Sequence, residues 1–475
     1  MALKKHTISF QETKQFSSIF MDYINGDEKL RPFYTYTPEI GSFAKIIEAK
    51  KKESINRKLL VDVISSQYRK TGLTAPELTS LLSDDTFTVC TGHQLCLFTG
   101  PLYFIYKIIT TINLAETLRK NYPSNDFIPV YWMASEDHDF EEIQSINLFG
   151  NKIIWNSKDA GGAVGRLSTA TLNTVIQELK TILGESEHAA ALITLFEEAY
   201  LKHTNVADAT RYMVHQLFGT YGLVIINPDD DGLKEEFIDI IKDDIKNNTN
   251  FTIVNQTISE LSKAGYKAQV NPREINLFRL LEKDRVRIET ASSETLNYKA
   301  EEYSPNVVLR PLYQQKILPN LAYVGGPGEI AYWLEYKTMF DHHKITFPVL
   351  MPRNFAVLSD EKSEQQMQRL GLSKTDLFKD IDLLIKEFVS KNAGSDVSMK
   401  DEEIKLTQMF NDIAEKAGMV DATLKKSVDA ELQKALGSIK NIESKLIKAE
   451  KQKQETNINQ IKKLKEKILP EGVLQ

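Results

Sequence analysis

The stretch that most constrains the fold covers residues 87–143, where two short apolar runs flank one amphipathic helix. Residues 87–91 (FTVCT) are apolar and rich in β-branched side chains, the pattern of a strand buried on both faces. Helical spacing then takes over through Ile105, Ile108, Ile109, Ile112, Ala115 and Leu118. Pro101 suits the first helical position, where a missing N–H costs nothing, with Thr99 or Gly100 as the cap. A second strand pattern occupies residues 127–134. Strand, helix and strand in succession predict a right-handed crossover with parallel strands. The loops leaving both strands then emerge at one edge, where open α/β sheets bind ligands. One loop is Thr91-Gly92-His93-Gln94, and the other is Ser135-Glu136-Asp137-His138-Asp139.

A chain of 475 residues exceeds one compact core, so two or three structural units are expected. A net charge of −6 argues against general affinity for nucleic acid or anionic membrane. No apolar run approaches the roughly 18–20 residues that span a bilayer. The opening MALKKHTISF lacks the apolar core of a signal peptide, which makes the cytoplasm the expected location. Cys90 and Cys96 are the only cysteines, too few for a disulfide scaffold or a four-cysteine zinc site.

Taken in order, residues 1–80 read as a mainly helical segment packing on the core through Ile46, Ile47, Leu60 and Ile64. Residues 81–362 read as the α/β core, with insertions at about 147–203 and 250–305. Further strands are expected at 222–226, 268–270, 276–281, 286–288, 307–309, 322–324 and 346–351. From residue 363 the strand signal vanishes and Lys, Glu and Gln dominate. Apolar residues recur in heptad-like steps at Leu406, Phe410, Ile413, Ala417, Val420 and Leu424, then from Leu432 to Ala449. The longer step between Leu424 and Leu432 reads as a local unwinding of one helix over about 400–467. Such a helix would be on the order of 100 Å long. Its stripe needs a partner, either Leu377, Ile381, Leu384 and Phe388 or the same helix of a second subunit, giving a homodimer.

Three stretches carry candidate chemistry. His93 and Gln94 end a buried strand and could form a hydrogen-bonding, anion-binding corner, or merely a capped turn. Glu136, Asp137, His138 and Asp139 are four ionisable groups in a row at a strand end, a pattern that packing alone rarely requires. A helix N-terminus is the plain alternative, since carboxylates suit its dipole. Consecutive residues fan outward and no spaced His or Cys partner is visible there, so no metal is assigned. Gly325-Gly326-Pro327-Gly328-Glu329 precedes a helix carrying Tyr332 and Trp333, and reads as an anion cradle or as a tight turn with Trp333 in the core. It matches neither a Walker loop nor the dinucleotide fingerprint. Arg310, after the expected strand 307–309, could grip a carboxylate or phosphate bidentately. Cys90 and Cys96 read as packing residues.

Taken together, TGHQ with LFTGPLY, PVYWMASEDHDFEEI, YGLVIINPD, LRPLYQQKILPNLAYVGGPGEIAYW and the charged C-terminal helix resemble the BshC family, the cysteine-adding enzymes of bacillithiol biosynthesis. The resemblance covers nearly the whole chain. It implies a Rossmann-like parallel-sheet core akin to class I aminoacyl-tRNA synthetases, two connecting-peptide insertions and a coiled coil that pairs subunits. It also implies a chain that continues beyond LPEGVLQ. The implied task is carbon–nitrogen ligation, joining cysteine to glucosaminyl-malate in the last step of bacillithiol synthesis. The His-Ile-Gly-His and Lys-Met-Ser-Lys-Ser signatures of adenylate-forming relatives are absent, and residues 91–94 and 358–363 stand in roughly equivalent places. Amide formation in water needs a driving reaction, so ATP or another nucleotide is the expected co-substrate. On this reading His93, Glu136, Asp137, His138 and Asp139 are the catalytic candidates, with His138 or an adjacent carboxylate as the base. Gln94, Gly100, Arg310, Gly325, Gly326, Gly328, Glu329, Tyr332 and Trp333 are the substrate-binding candidates. Two other readings stand beside it: a nucleotidyl transferase on the same fold, and a non-catalytic coiled-coil scaffold. The polar density of the rim loops weighs against the scaffold.

Overall fold

The computed structural model describes residues 4–157, 161–393 and 398–474. It divides into two compact units, one over residues 17–355 and one that groups residues 4–16 with the described part of 356–474. In chain order the strands of the first unit are β1 (Thr86–His93), β2 (Asp126–Met133), β3 (Ser145–Leu148), β4 (Asn151–Ile154) and β5 (Val224–Ile226), then β6 (Leu277–Leu280), β7 (Arg285–Arg287), β8 (Tyr303–Pro305), β9 (Asn320–Gly325) and β10 (Val349–Pro352).

Five of these form a parallel sheet in the order β5-β2-β1-β9-β10. Along the chain they are its third, second, first, fourth and fifth strands, the doubly wound Rossmann-like order. The order reverses between β1 and β9, which opens a crevice at their carboxyl ends. β1 and β2 run in register from Thr86 beside Asp126 to His93 beside Met133, so their loops leave side by side. The crossover helix Tyr103–Asn121 buries Phe104, Ile108, Ile112, Leu114, Ala115 and Leu118. Leu114, Ala115 and Leu118 pack with Phe43, Ile46, Ile47, Phe87, Val89, Phe127, Leu321 and Val349 in one core. Each large apolar side chain so buried contributes about 1.5–3 kcal/mol, which is how the N-terminal helix Phe43–Lys50 is held on the sheet.

Two inserts interrupt the sheet. Between β2 and β5 lie the β3–β4 hairpin and the helices Leu172–Leu183, Glu187–Lys202 and Val206–Phe218. Between β5 and β9 lie the helices Ile238–Asn247 and Thr249–Lys263 and a small antiparallel sheet in the order β7-β6-β8. The glycine turn expected at 160–162 begins at Ala160, outside the described residues.

Several local expectations change. The crossover helix starts at Tyr103 rather than Pro101, because Phe98, Thr99 and Gly100 all take positive φ in a tight turn before it. A Cβ at Gly100 would lie 2.4 Å from Cβ of Cys96, so this glycine serves the turn and not a ligand. Residues 307–309 are no strand. The Asn306 side chain accepts the N–H groups of Val308 (2.8 Å) and Leu309 (3.3 Å) and launches the helix Arg310–Ile317. Residues 268–270 are no strand either, since the buried Glu335 carboxylate takes the N–H groups of Gln269 and Val270 at 2.6 and 3.2 Å.

In the second unit, the single long helix is replaced by a hairpin. Helix Lys400–Val420 turns at Asp421, whose carboxylate accepts the Thr423 N–H, and Leu424–Lys453 runs back antiparallel. The return is marked by Met399 N–H reaching Glu443 at 3.5 Å. A further helix, Glu455–Ile468, follows. Leu377, Leu384 and Phe388 pack instead with Ile447, which lies off the expected stripe, and with Ile458, Ile461 and Leu464 of this last helix. The hairpin itself leaves Ile404, Ile413, Ile442 and Leu446 exposed. Among the described residues, no helix is long and apolar enough to cross a membrane.

Candidate active site

At the end of β1 the Gly92 carbonyl accepts a hydrogen bond from Lys107, one turn into the crossover helix. Lys107 is 3% exposed, and its Nζ also pairs with both carboxylate oxygens of Glu329 at 2.8 and 2.7 Å. His93 lies 5.4 Å from the Tyr103 ring and 5.1 Å from Phe104. Its Nδ1 donates to the Gln94 carbonyl at 2.9 Å, leaving Nε2 with a bare lone pair. Burial, helped by Lys107, lowers the imidazole pKa to about 4, so the ring is neutral. Gln94 donates from its amide nitrogen to Asp137, while its Oε1 is buried with no hydrogen-bond partner.

The β2 loop is held from three sides. Ser135 bonds to Asn227 beyond β5, and the segment at Gly165 crosses so closely that a Cβ there would sit 2.6 Å from Cβ of Ser135. Glu136 is buried and paired with Lys234 at 2.8 Å. Lys234 also pairs with Asp229 at 2.9 Å, and Asp229 takes two hydrogen bonds from Arg166. Burial pushes the Glu136 carboxyl up against the opposing pull of Lys234. Asp137 also suffers burial, but Gln94 and Arg285 outweigh it and hold its carboxyl below the usual range. His138 lies over Phe278 of β6, and its Nδ1 accepts from Arg285 of β7 at 3.0 Å. Asp139 caps the short helix Phe140–Ile143 through the Glu142 N–H. Glu142, absent from the sequence candidates, lies beside Gln94; burial, then Asp139 and Asp137, push its carboxyl above the usual range.

At the end of β9 the glycine turn is not an open cradle. Gly326 donates its N–H to Glu329 at 2.8 Å, and the Tyr323 hydroxyl donates to the same carboxylate. The anion position at this helix start is therefore filled by the chain's own Glu329. Burial opposes its charge, but Lys107 and the two hydrogen bonds outweigh that and keep the carboxyl below the usual range. Gly328 has open space around it. Arg310 reaches across to β1: a Cβ at Gly92 would lie 3.8 Å from its Nη1. That Nη1 donates to Gln314 at 3.1 Å, whereas Nη2 is buried with no hydrogen-bond partner. Tyr332 is half-buried nearby, its hydroxyl pushed up to about 12 by burial. Trp333 is fully buried against Tyr323, Phe340 and Phe347, a core residue and not a ligand contact. Arg353, after β10, lies over the rings of Tyr103 and Phe355.

The rim thus brings the β1, β2 and β9 loops together at the edge where the strand order reverses. Residues 358–363 belong to the other compact unit, where Asp360 caps Glu361–Leu370 and pairs with Lys467. Burial pushes both thiols, Cys90 and Cys96, up to about 12, consistent with packing roles. Lys107, Glu142, Lys234, Asp229, Arg285 and Arg353 were missed by sequence reasoning. Among the described residues, the rim groups with unused bonding capacity include Arg310 Nη2, Gln94 Oε1, His93 Nε2 and the Glu142 carboxylate.

Residues 3–354 match the family model described as Bacillithiol biosynthesis BshC, N-terminal Rossmann-like domain. Residues 356–475 match the one described as Bacillithiol biosynthesis BshC, C-terminal coiled-coil domain. The chain belongs to the BshC family. A Flavobacterium psychrophilum protein named "Putative cysteine ligase BshC" is 42% identical, over 98% of this chain and 92% of its own. Proteins of the same name from Flavobacterium johnsoniae and Cytophaga hutchinsonii are 40% and 37% identical, covering 98% and 100% of this chain and 92% of their own. Membership in the BshC family makes this chain a ligase-class enzyme with a Rossmann-like domain and a coiled-coil domain.

Proposed function

We propose that this chain joins the carboxyl group of cysteine to the amine of glucosaminyl-malate, with ATP driving the reaction. In balance, a cysteine carboxylate oxygen displaces pyrophosphate from ATP. The sugar amine then displaces AMP to form the amide, and one proton is released. The observation that carries this reading is Arg310, a cation at the strand-order reversal whose Nη2 is buried without a partner. A malyl carboxylate satisfies it. Gln94 Oε1 accepts an N–H of the amine, and Glu142 beside it takes the amine proton. A nucleotide phosphate does not fit the Gly325–Gly328 turn, because Glu329 already holds the Gly326 N–H; of the cations beside that turn, Lys107 is taken by Glu329, which leaves Arg310 and Arg353. Incubation with glucosaminyl-malate, cysteine and ATP should yield the amide by mass, with pyrophosphate release dependent on cysteine. Pyrophosphate without cysteine would mark a nucleotidyl transferase, and no turnover of any kind a scaffold.

Arg310 has its own test. Arg310→Met removes a charged hydrogen bond to the malyl carboxylate, a contribution of about 1.5–3 kcal/mol. The apparent affinity for glucosaminyl-malate should fall roughly 10- to 150-fold, while an aminosugar lacking the malyl group should be used equally by both enzymes. Equal losses on both substrates would assign Arg310 to the nucleotide instead.

We further propose that the exposed hairpin stripe is covered by a second copy of the chain. Ile413→Lys with Ile442→Lys changes two side chains exposed in one chain, so folding should be spared. Sedimentation at about ten micromolar, where a weak dimer persists, should show dimers for the parent and monomers for the variant. A monomeric parent would leave the stripe to another partner.

A further inference from the structure

We propose that Asp243, His342 and His343 form a binding site for one divalent transition-metal ion of the zinc class, remote in sequence from the rim loops. Asp243 lies midway along helix Ile238–Asn247, His342 ends helix Lys337–His342, and His343 caps that helix. Each offers a donor atom within 4.8 Å of the others. Donors around tetrahedral zinc, with bonds of about 2.0–2.1 Å, stand roughly 3.3–3.5 Å apart. Binding requires the exposed His342, whose ring packs edge-on against His343, to swing toward the other two donors.

The supporting geometry lies behind the donors. Asn250 donates its amide N–H to the buried Asp244 carboxylate at 3.0 Å, which turns its Oδ1 toward His343. That Oδ1 lies 2.8 Å from His343 Nε2, so Nε2 must carry the proton and Nδ1 keeps a bare lone pair. A histidine that donates its second nitrogen to an oxygen acceptor is the usual arrangement behind a metal-bound imidazole. Asp243 uses Oδ1 to accept from Asn247 at 2.7 Å, while its Oδ2 is buried with no hydrogen-bond partner. A buried carboxylate oxygen without a donor is costly to keep, and a cation beside it removes that cost. The set is therefore two imidazoles and one carboxylate, three protein ligands with room for water in the fourth position. His342 also borders a cavity of about 430 Å³ lined by Gln256, Glu260 and Asp341. Bound metal would clasp the two helices together.

The test uses the whole chain, stripped with EDTA and titrated with Co²⁺ and Zn²⁺ separately. One Co²⁺ per chain should bind, with visible absorption in the range of four- or five-coordinate cobalt, and Zn²⁺ should displace it. His342→Ala, whose side chain is exposed, should abolish that spectrum without changing the circular dichroism. Asn250→Ala should weaken binding about 10- to 100-fold while leaving the stoichiometry at one, the effect of losing a supporting hydrogen bond. Zn²⁺ should raise the unfolding temperature of the parent and not of His342→Ala. The proposal is overturned if no stoichiometric Co²⁺ binds, or if binding and spectrum survive in the double variant His342→Ala/His343→Ala.

Discussion

Lys107→Met is expected to be the most destabilising single change in the core. Lys107 is 3% exposed and carries the charge that Glu329 needs, together with the hydrogen bond to Gly92. Methionine fills nearly the same volume, so cavity formation is a small part of the effect. What remains is a carboxylate without its cation, a defect that costs about 3–5 kcal/mol. Glu329 would retain Tyr323 and Gly326 as donors, which places the loss toward the lower end of that range. The urea midpoint of the first unfolding transition reads it out. Adding Glu329→Gln to Lys107→Met removes the uncompensated charge, and the double variant should recover most of the loss, because a buried pair is worth little net while a broken one is expensive. A single variant within about 1 kcal/mol of the parent, the scale of a surface pair, would show that solvent reaches Glu329.

The same lysine shows where sequence reading stops. β1, the crossover helix and β2 were legible because burial on both faces leaves continuous apolar runs, and the helix between them shows its period plainly. Lys107 shares a helical face with Phe104, Ile108 and Thr111, all buried; that spacing was a signal, but a lysine near a helix start reads first as surface. Lys234 repeats the lesson, spaced with Phe237 and Ile241 and almost wholly buried. Residues 307–309 misled because Val-Val-Leu is apolar and β-branched, while Asn306, the residue that redirects the backbone, supplies only a side-chain oxygen. The coiled-coil hairpin was hidden for a different reason. Heptad spacing is identical in one long helix and in two antiparallel ones, and the turn at Asp421 to Thr423 carries no proline. The three rim loops were nameable as loops, but not the bonds inside them. That Lys107 serves Glu329, and that His138 meets Arg285, depends on partners 222 and 147 residues away in sequence.

Those bonds decide the last prediction, which concerns the base. Arg285 can only donate, so the 3.0 Å contact requires His138 Nδ1 to accept and places the ring proton on Nε2. Nδ1 is thereby occupied by Arg285, and an Asp137 carboxylate oxygen lies 3.4 Å from the same atom. Glu136 is committed to Lys234, Asp137 to Gln94, and Asp139 to its helix cap. Glu136 and Glu142 both have raised proton affinity, but Glu136 is held by Lys234, whereas Glu142 sits beside Gln94. Glu142→Gln keeps the shape and removes the titration, so turnover should fall by about 10²–10⁴, the usual contribution of a general base, with the apparent affinity for glucosaminyl-malate little changed. The base must be deprotonated to act, so parent activity should drop as pH falls through the raised Glu142 pKa, and that acid limb should be missing from what activity the variant retains. His138→Asn offers Arg285 an oxygen in place of Nδ1, and its turnover should fall by less than roughly tenfold, well short of a general-base loss. The opposite pattern, an intact Glu142→Gln enzyme and a His138→Asn enzyme slowed a hundredfold or more, would return the proton transfer to the histidine and require Arg285 to move away when substrate binds.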